Sequence, residues 1–291
     1  MVIEDLSEIQ GVNSREEKRS AMQLPAALDS LDRIVPTKER ELAVFLDYDG
    51  TLTPIVDNPD KANLSASMRA TLEHLATLCE VAIISGRDLQ DVQQRVGVDN
   101  IWYAGSHGFD IAGPGGEHTE YQGGLDYLPA LDAAEQNLRE ALEDISGCLV
   151  ERKKFSIAIH YRQVAQDEVE SVKRTVEQIH ENHSELRLMQ GKKIFELQPD
   201  IDWNKGKAIH WLSSKLELNK RCFTLLYIGD DVTDEDAFRA LGAEDLGILV
   251  AEEDQQTFAT YRLSDPAEVE KFLNRLCNKL EEVHEKLETD I

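Results

Sequence analysis

The chain has 291 residues and 41% apolar content, enough for one large domain or two ordinary ones with a sizeable core. Its formal net charge of −25 opposes nucleic-acid backbones and anionic membranes, which recruit basic patches. Cys79, Cys148, Cys222 and Cys277 match no metal-ligand spacing, no apolar run reaches bilayer length, and MVIEDLSEIQ lacks the features of a signal peptide, so a cytoplasmic protein with reduced thiols is expected.

Residues 1–24 are polar and charged, without a core stripe, and read as a flexible N-terminal arm. Residues 24–35 carry apolar positions at helical spacing and Pro25 near their start, which predicts a short helix leading into the first strand. Apolar runs ending in small or acidic residues follow at 42–49, 81–87, 101–108, 224–231 and 246–251. Near-continuous apolar strands mark a parallel sheet covered on both faces. Helical patterns at 65–79, 87–96, 204–217 and 233–241 fall between them, predicting a doubly wound α/β core.

The rhythm breaks over 112–198. Gly-rich GPGGE and QGG open this stretch, followed by a helical pattern at 126–145, alternation within GCLVERKKFSIAIHYR, a helix at 166–183 and strands around LRLMQGKKIFELQP. Gly191-Lys192 has the character of a hairpin turn. An α+β domain over 112–198 is therefore expected as an insertion into a core built from 25–111 and 199–291, with a charged amphipathic helix at 266–287.

The chemistry collects where parallel strands end, the edge at which such sheets bind ligands. One strand runs into Asp47 and Asp49, another into Ser85, a third into Asp230 and Asp231. Buried carboxylates in proximity repel each other unless a cation lies between them. An all-oxygen set without His or Cys favours Mg²⁺, which works with phosphate groups. Ser85-Gly86-Arg87 directly after a strand reads as the start of a helix and an anion site. Lys205, in the first turn of its helix, suits the helix dipole poorly unless an anion lies before it.

In order, DYDGT (47–51), SGR (85–87), NKG (204–206) and GDDVTDED (229–236) resemble the four motifs of haloacid-dehalogenase-superfamily phosphatases. The insertion looks like the α/β cap of that superfamily's sugar phosphatases, and VERKKFSIAIHYR, GKKIFELQP and GSHG resemble segments of the trehalose-6-phosphate phosphatases. The resemblance implies that Asp47 attacks phosphorus to form an aspartyl-phosphate and that Asp49 serves as acid and then base. It implies Mg²⁺ held by Asp47, the Asp49 carbonyl and Asp230, with Asp231 or Asp234 in support. It places Ser85, Gly86 and Lys205 around the phosphoryl group, where Arg87 either joins them or braces the loop. The cap would read the sugar through Lys153, Lys192 and Glu196, with Glu151 and His107 as further candidates. Glu151 and Lys153 would share one strand face, as would Lys192 and Glu196. Lys153, Lys154, Lys192, Lys193, Lys205 and Arg87 would give an acidic chain a local field suited to an anionic substrate.

The expected activity is Mg²⁺-dependent hydrolysis of trehalose 6-phosphate by a monomer acting on a small sugar phosphate. The alternatives are another sugar phosphate, of the sucrose-phosphate or mannosylglycerate-phosphate type, or a catalytically silent sugar-phosphate binder that regulates a synthase. Intact Asp47 and Asp49 argue against the silent form.

Overall fold

The computed structural model describes residues 17–35, 40–56, 59–120, 122–191, 193–218 and 222–289. The first half of the larger unit comprises β1 (Arg19–Ser20), α1 (Leu31–Ile34), β2 (Glu41–Leu46), α2 (Ala66–Leu78), β3 (Glu80–Ile84), α3 (Leu89–Val96), β4 (Trp102–Gly105), β5 (Asp110–Ala112) and β6 (His118–Glu120). The smaller unit follows with α4 (Gln122–Leu125), α5 (Leu128–Leu142), β7 (Leu149–Arg152), β8 (Ile157–His160), α6 (Val169–Glu181), β9 (Leu186–Gly191) and β10 (Ile194–Pro199). The chain returns to the larger unit through α7 (Lys205–Lys215), β11 (Phe223–Gly229), α8 (Val232–Ala240), β12 (Leu246–Val250), β13 (Gln256–Thr257), β14 (Tyr261–Leu263) and α9 (Pro266–Thr289). The smaller unit spans 119–203, rather than the expected 112–198, because β5 and the start of β6 still belong to the larger unit. No helix among the described residues is long and apolar enough to cross a membrane.

The larger unit is an α/β fold around a sheet of order β14-β12-β11-β2-β3-β4-β5-β6. The pairs from β14 to β4 are parallel and β4–β5 is antiparallel. The first long strand, β2, lies in the middle, with β3 on one side and β11 on the other, so the winding reverses there. Val44 and Leu46 of β2 bury into a cluster with Met68 and Leu72 of α2 and Phe272 and Leu276 of α9. On the opposite face Tyr227, in register with Phe45, meets Phe238 of α8 edge-on, with ring centroids 5.6 Å apart. Apolar residues on both faces of β2 are thus explained by helices on both faces of the sheet.

Several expectations need correction. Of the expected flexible arm, residues 1–16 lie outside the described residues, but Arg19–Ser20 pair with Gln256–Thr257, and Ala21 and Leu24 are buried. Their apolar side chains leave water, which outweighs the arm's polar composition. The helix expected at 24–35 is two short turns, Ala27–Asp29 and Leu31–Ile34, parted by Ser30 at φ −112° and ψ 10°. The apolar run 101–108 stops as a strand at Gly105, and β5, β6 and β14 extend the sheet beyond the five runs read from sequence.

The smaller unit is a four-stranded sheet of order β7-β8-β10-β9. GCLVERKKFSIAIHYR, read as one alternating stretch, is instead a hairpin, with β7 antiparallel to β8. Val150, Ile157, Ile159, Phe195 and Leu197 bury against Leu131, Leu138, Val172 and Val176 of α5 and α6. Glu151 and Glu196 both pair with Ala158, so they and the alternate residue His160 occupy the other face. The helices cover one side of this sheet, and its polar residues face the other way.

Candidate active site

The register of β2 and β11 brings two carboxylates together. Leu46 pairs with Ile228 and Asp47 N–H donates to the Ile228 carbonyl at 2.9 Å, so Asp47 and Asp230 emerge from neighbouring strand ends. Gly50, at φ +87°, turns the chain away, and a Cβ there would lie 2.2 Å from Asp230 Oδ2. Only glycine satisfies both the left-handed backbone and that close approach.

Lys205 is the first residue of α7, with Asn204 as N-cap accepting from Lys207 N–H at 3.0 Å. Its ammonium is buried, donating to Asp47 Oδ1 at 2.7 Å and to Asp234 Oδ1 at 2.6 Å. Burial opposes the charge, but Asp234 and Asp47 outweigh it and hold Lys205 protonated with a raised pKa. Asp47 is pushed well above the usual carboxylate range by burial; Lys205 counters this, while Asp234 and Asp230 add to it.

Carboxylate oxygens of Asp47, Asp230 and Asp234 all lie within 4.8 Å of one another, and all three residues are buried. Three carboxylates facing one ammonium leave an excess of buried negative charge, and a hard, oxygen-only donor set of this kind fits a divalent cation. Asp231 is not in the cluster: it caps α8, accepting from Val232 N–H at 2.7 Å. Asp234 turns inward, with Oδ1 accepting from Lys205 and Tyr227 and Oδ2 from Asp230 N–H and Asp231 N–H.

The carboxylate of Asp49 is half-exposed and meets Arg87 in a bidentate pair, Nε to Oδ2 at 2.6 Å and Nη2 to Oδ1 at 2.7 Å. Arg87 also donates through Nη1 to Asp91 at 2.8 Å, and its guanidinium lies 5.4 Å from the Tyr48 ring centroid. Of the two roles open to Arg87, the geometry favours bracing: the guanidinium is committed to carboxylates. Burial opposes the charge on Arg87, but the hydrogen bonds and charge of Asp49 outweigh it and raise the guanidinium's pKa.

The segment SGR does not open a helix, since α3 begins only at Leu89. Ser85 Oγ instead accepts from Arg87 N–H at 3.1 Å, closing a tight loop. Ser106 and His107 follow β4 at φ +48° and +58°, and His107 N–H donates to the Ser85 carbonyl at 2.8 Å. A Cβ on Gly86 would come within 2.8 Å of the His107 ring. Two consecutive left-handed residues are costly for non-glycine side chains. Here they lay His107 against the Ser85–Gly86 loop, and only the Gly-Ser-His-Gly sequence hinted at the turn.

In the smaller unit, Glu196 Oε1 accepts from Ser156 Oγ at 2.6 Å and from Lys153 Nζ at 3.4 Å. Glu151 Oε2 lies 2.7 Å from His160 Nε2. Lys192 lies outside the described residues. Ser156, not singled out from the sequence, is buried at the hairpin and fixes Glu196. Tyr227, also missed, carries a buried hydroxyl in the middle of β11, and such a group requires a partner.

Residues 45–267 match the family model described as Trehalose-phosphatase. The trehalose-phosphate phosphatase of Mycobacterium marinum is 42% identical over 280 residues, covering 94% of this chain and 71% of that protein. A crystal structure of a trehalose-6-phosphate phosphatase related protein aligns with TM-score 0.71 at 27% identity, covering 81% of this chain and 97% of that one. The C-terminal domain of a C. albicans trehalose-6-phosphate phosphatase shares the fold, with TM-score 0.76 at 23% identity over 88% of this chain and 99% of that one. The matched span runs from the strand that delivers Asp47 to the first turn of α9, taking in every carboxylate of the buried cluster, and the chain belongs to the trehalose-phosphatase family.

Proposed function

We propose that this phosphoric monoester hydrolase releases trehalose and phosphate from trehalose 6-phosphate by way of a phosphoryl group carried on Asp47. The observation that carries the reading is Asp47 itself, a buried carboxylate clamped by Lys205 beside Asp230. The relatives' shared name supports the substrate.

Lys205 fixes the rotation of the Asp47 carboxylate through Oδ1, leaving Oδ2 to attack phosphorus. As the new P–O bond forms, the bond from phosphorus to the sugar oxygen breaks, and that oxygen takes a proton from Asp49. Water then attacks phosphorus, giving its proton to Asp49 and returning Asp47 as a carboxylate. Asp49 is paired with Arg87 in the resting structure, and this pair must open for the Asp49 carboxyl to reach the leaving oxygen. Ser85 and Gly86 form the loop assigned to the phosphoryl oxygens, and His107, a candidate for reading the sugar, packs against it. Asp47, Asp230 and the Asp49 carbonyl would hold Mg²⁺, which when bound supplies charge neutralisation for the phosphoryl group. The acidic charge of the chain suits a cytoplasmic enzyme acting on a small molecule away from nucleic acid and anionic membranes.

The test is phosphate release by purified protein with Mg²⁺ from a panel containing trehalose 6-phosphate, sucrose 6-phosphate and mannosylglycerate phosphate. Trehalose 6-phosphate is expected to have the highest kcat/KM. A preference for another member would replace the substrate assignment, and no turnover of any would favour a silent binder.

Sugar recognition is assigned to the polar face carrying Lys153, Glu151 and Glu196. Glu196→Gln keeps the shape but loses the charge that accepts from Ser156 and Lys153. It is expected to raise KM for trehalose 6-phosphate about tenfold while leaving kcat/KM for p-nitrophenyl phosphate within about twofold of wild type. Equal losses on both substrates would count against the assignment.

A further inference from the structure

The carboxylate of Asp234 is fully buried and accepts at both oxygens from inside the protein. Asp230 N–H and Asp231 N–H donate to Oδ2 at 3.0 and 2.9 Å, and Lys205 Nζ and the Tyr227 hydroxyl donate to Oδ1 at 2.6 and 2.5 Å. One carboxylate therefore anchors both the backbone that presents Asp230 and the ammonium that clamps Asp47. Of its four donors, only one belongs neither to that backbone nor to that ammonium.

That partner is Tyr227. Its position in β11 pairs with Phe45 of β2 and Gly247 of β12, so its backbone is pinned between two strands in mid-sheet. Phe238 meets its ring edge-on at 5.6 Å, limiting side-chain rotation. The hydroxyl is thus delivered to Asp234 Oδ1 by the sheet itself.

We propose that Tyr227 is a positioning residue for phosphoryl transfer: its hydroxyl sets the plane of Asp234, and through it the placement of Lys205 against Asp47 and of Asp230 at the cation site. Lys205 Nζ is shared between carboxylates at nearly equal distances, 2.7 Å to Asp47 and 2.6 Å to Asp234. Tyr227 donates to the same Asp234 oxygen and so tempers its pull on the ammonium. Without the hydroxyl, Asp234 binds Lys205 more strongly and draws it from Asp47, the atom group that must be aligned with phosphorus. Displacements well below 1 Å are enough to slow an aligned transfer appreciably. An apolar residue of the same shape would fill the core equally well, so a hydroxyl here serves the acid cluster rather than the packing.

The proposal rests on the phosphatase reading, and the experiment separates the two. Tyr227→Phe and wild type are compared on trehalose 6-phosphate and on p-nitrophenyl phosphate, and Mg²⁺ binding to the substrate-free proteins is measured by calorimetry. Phenylalanine keeps the ring contact with Phe238, and folding is followed by circular dichroism. The expected result is kcat lowered about tenfold with KM within about twofold of wild type, and Mg²⁺ affinity weakened about threefold or more. Para-aminophenylalanine at 227, which returns a donor on the same ring, is expected to restore most of the lost kcat. The effect should vanish in an Asp234→Asn background, where the acceptor is already altered. Wild-type turnover per folded molecule with unchanged Mg²⁺ affinity overturns the proposal, as does an undiminished effect in the Asp234→Asn background. Should the phenylalanine variant fail to fold, a folded para-amino variant with kcat about tenfold below wild type overturns it too. Wild type that cleaves only p-nitrophenyl phosphate refutes the trehalose 6-phosphate assignment and leaves the Tyr227 comparison readable.

Discussion

Asp47→Asn is expected to lower kcat by about three orders of magnitude or more while the protein stays folded. The amide has nearly the same shape but is a far weaker nucleophile, so the covalent route closes. Stability should hold for an electrostatic reason. Asp47 sits in burial among Asp230 and Asp234, and these carboxylates together exceed the single compensating charge of Lys205. Removing one negative charge relieves repulsion, and Lys205 keeps its 2.6 Å contact with Asp234. The melting temperature without metal is therefore expected to equal or exceed that of wild type. Acid-quenched enzyme treated with labelled substrate should carry phosphate in the wild type and none in the variant. Turnover near wild type in Asp47→Asn would end the aspartyl-phosphate reading.

Lys205→Met should damage both function and fold. The ammonium is 3% exposed and is the cation that Asp47 and Asp234 share. Removing it leaves buried carboxylates uncompensated, a change that typically costs about 3–5 kcal/mol. Scanning calorimetry in chelator should show this loss, and Mg²⁺ should recover part of it, because a cation bound to the folded state alone stabilises by mass action. Metal should thus raise the melting temperature of the variant more than that of wild type. Activity should fall about a thousandfold, since both the clamp on Asp47 and a positive charge at the phosphoryl site are lost. A variant as stable as wild type in chelator would mean that the carboxylates are not ionised together in the resting protein.

How legible these groups were in the sequence differed by kind. Asp47 and Asp230 stood out because an apolar run ending on a carboxylate is a local pattern, and strand ends in a parallel sheet share one edge. Lys205 stood out because a lysine at a helix start runs against the dipole. By contrast, 85–87 looked like a helix start, yet its backbone is held by His107 and Ser106 after the next strand. The Arg87–Asp49 pair joins residues 38 apart, and the Lys205–Asp47 contact joins residues 158 apart. No local spacing encodes such partnerships.

From its sequence alone the chain disclosed the kind of fold, the apolar strands that carry it and the acidic and basic groups with which they end. Those features depend on near neighbours: side-chain periodicity, chain turns and the cost of placing a charge after an apolar run. Which carboxylates gather into the buried cluster and which one caps a helix, whether Arg87 is left open or meets Asp49, and what Tyr227 touches were decided only when strands and helices far apart in the chain packed together. A buried polar group must take whatever partner the packing leaves within about 3 Å, and that choice is made in three dimensions.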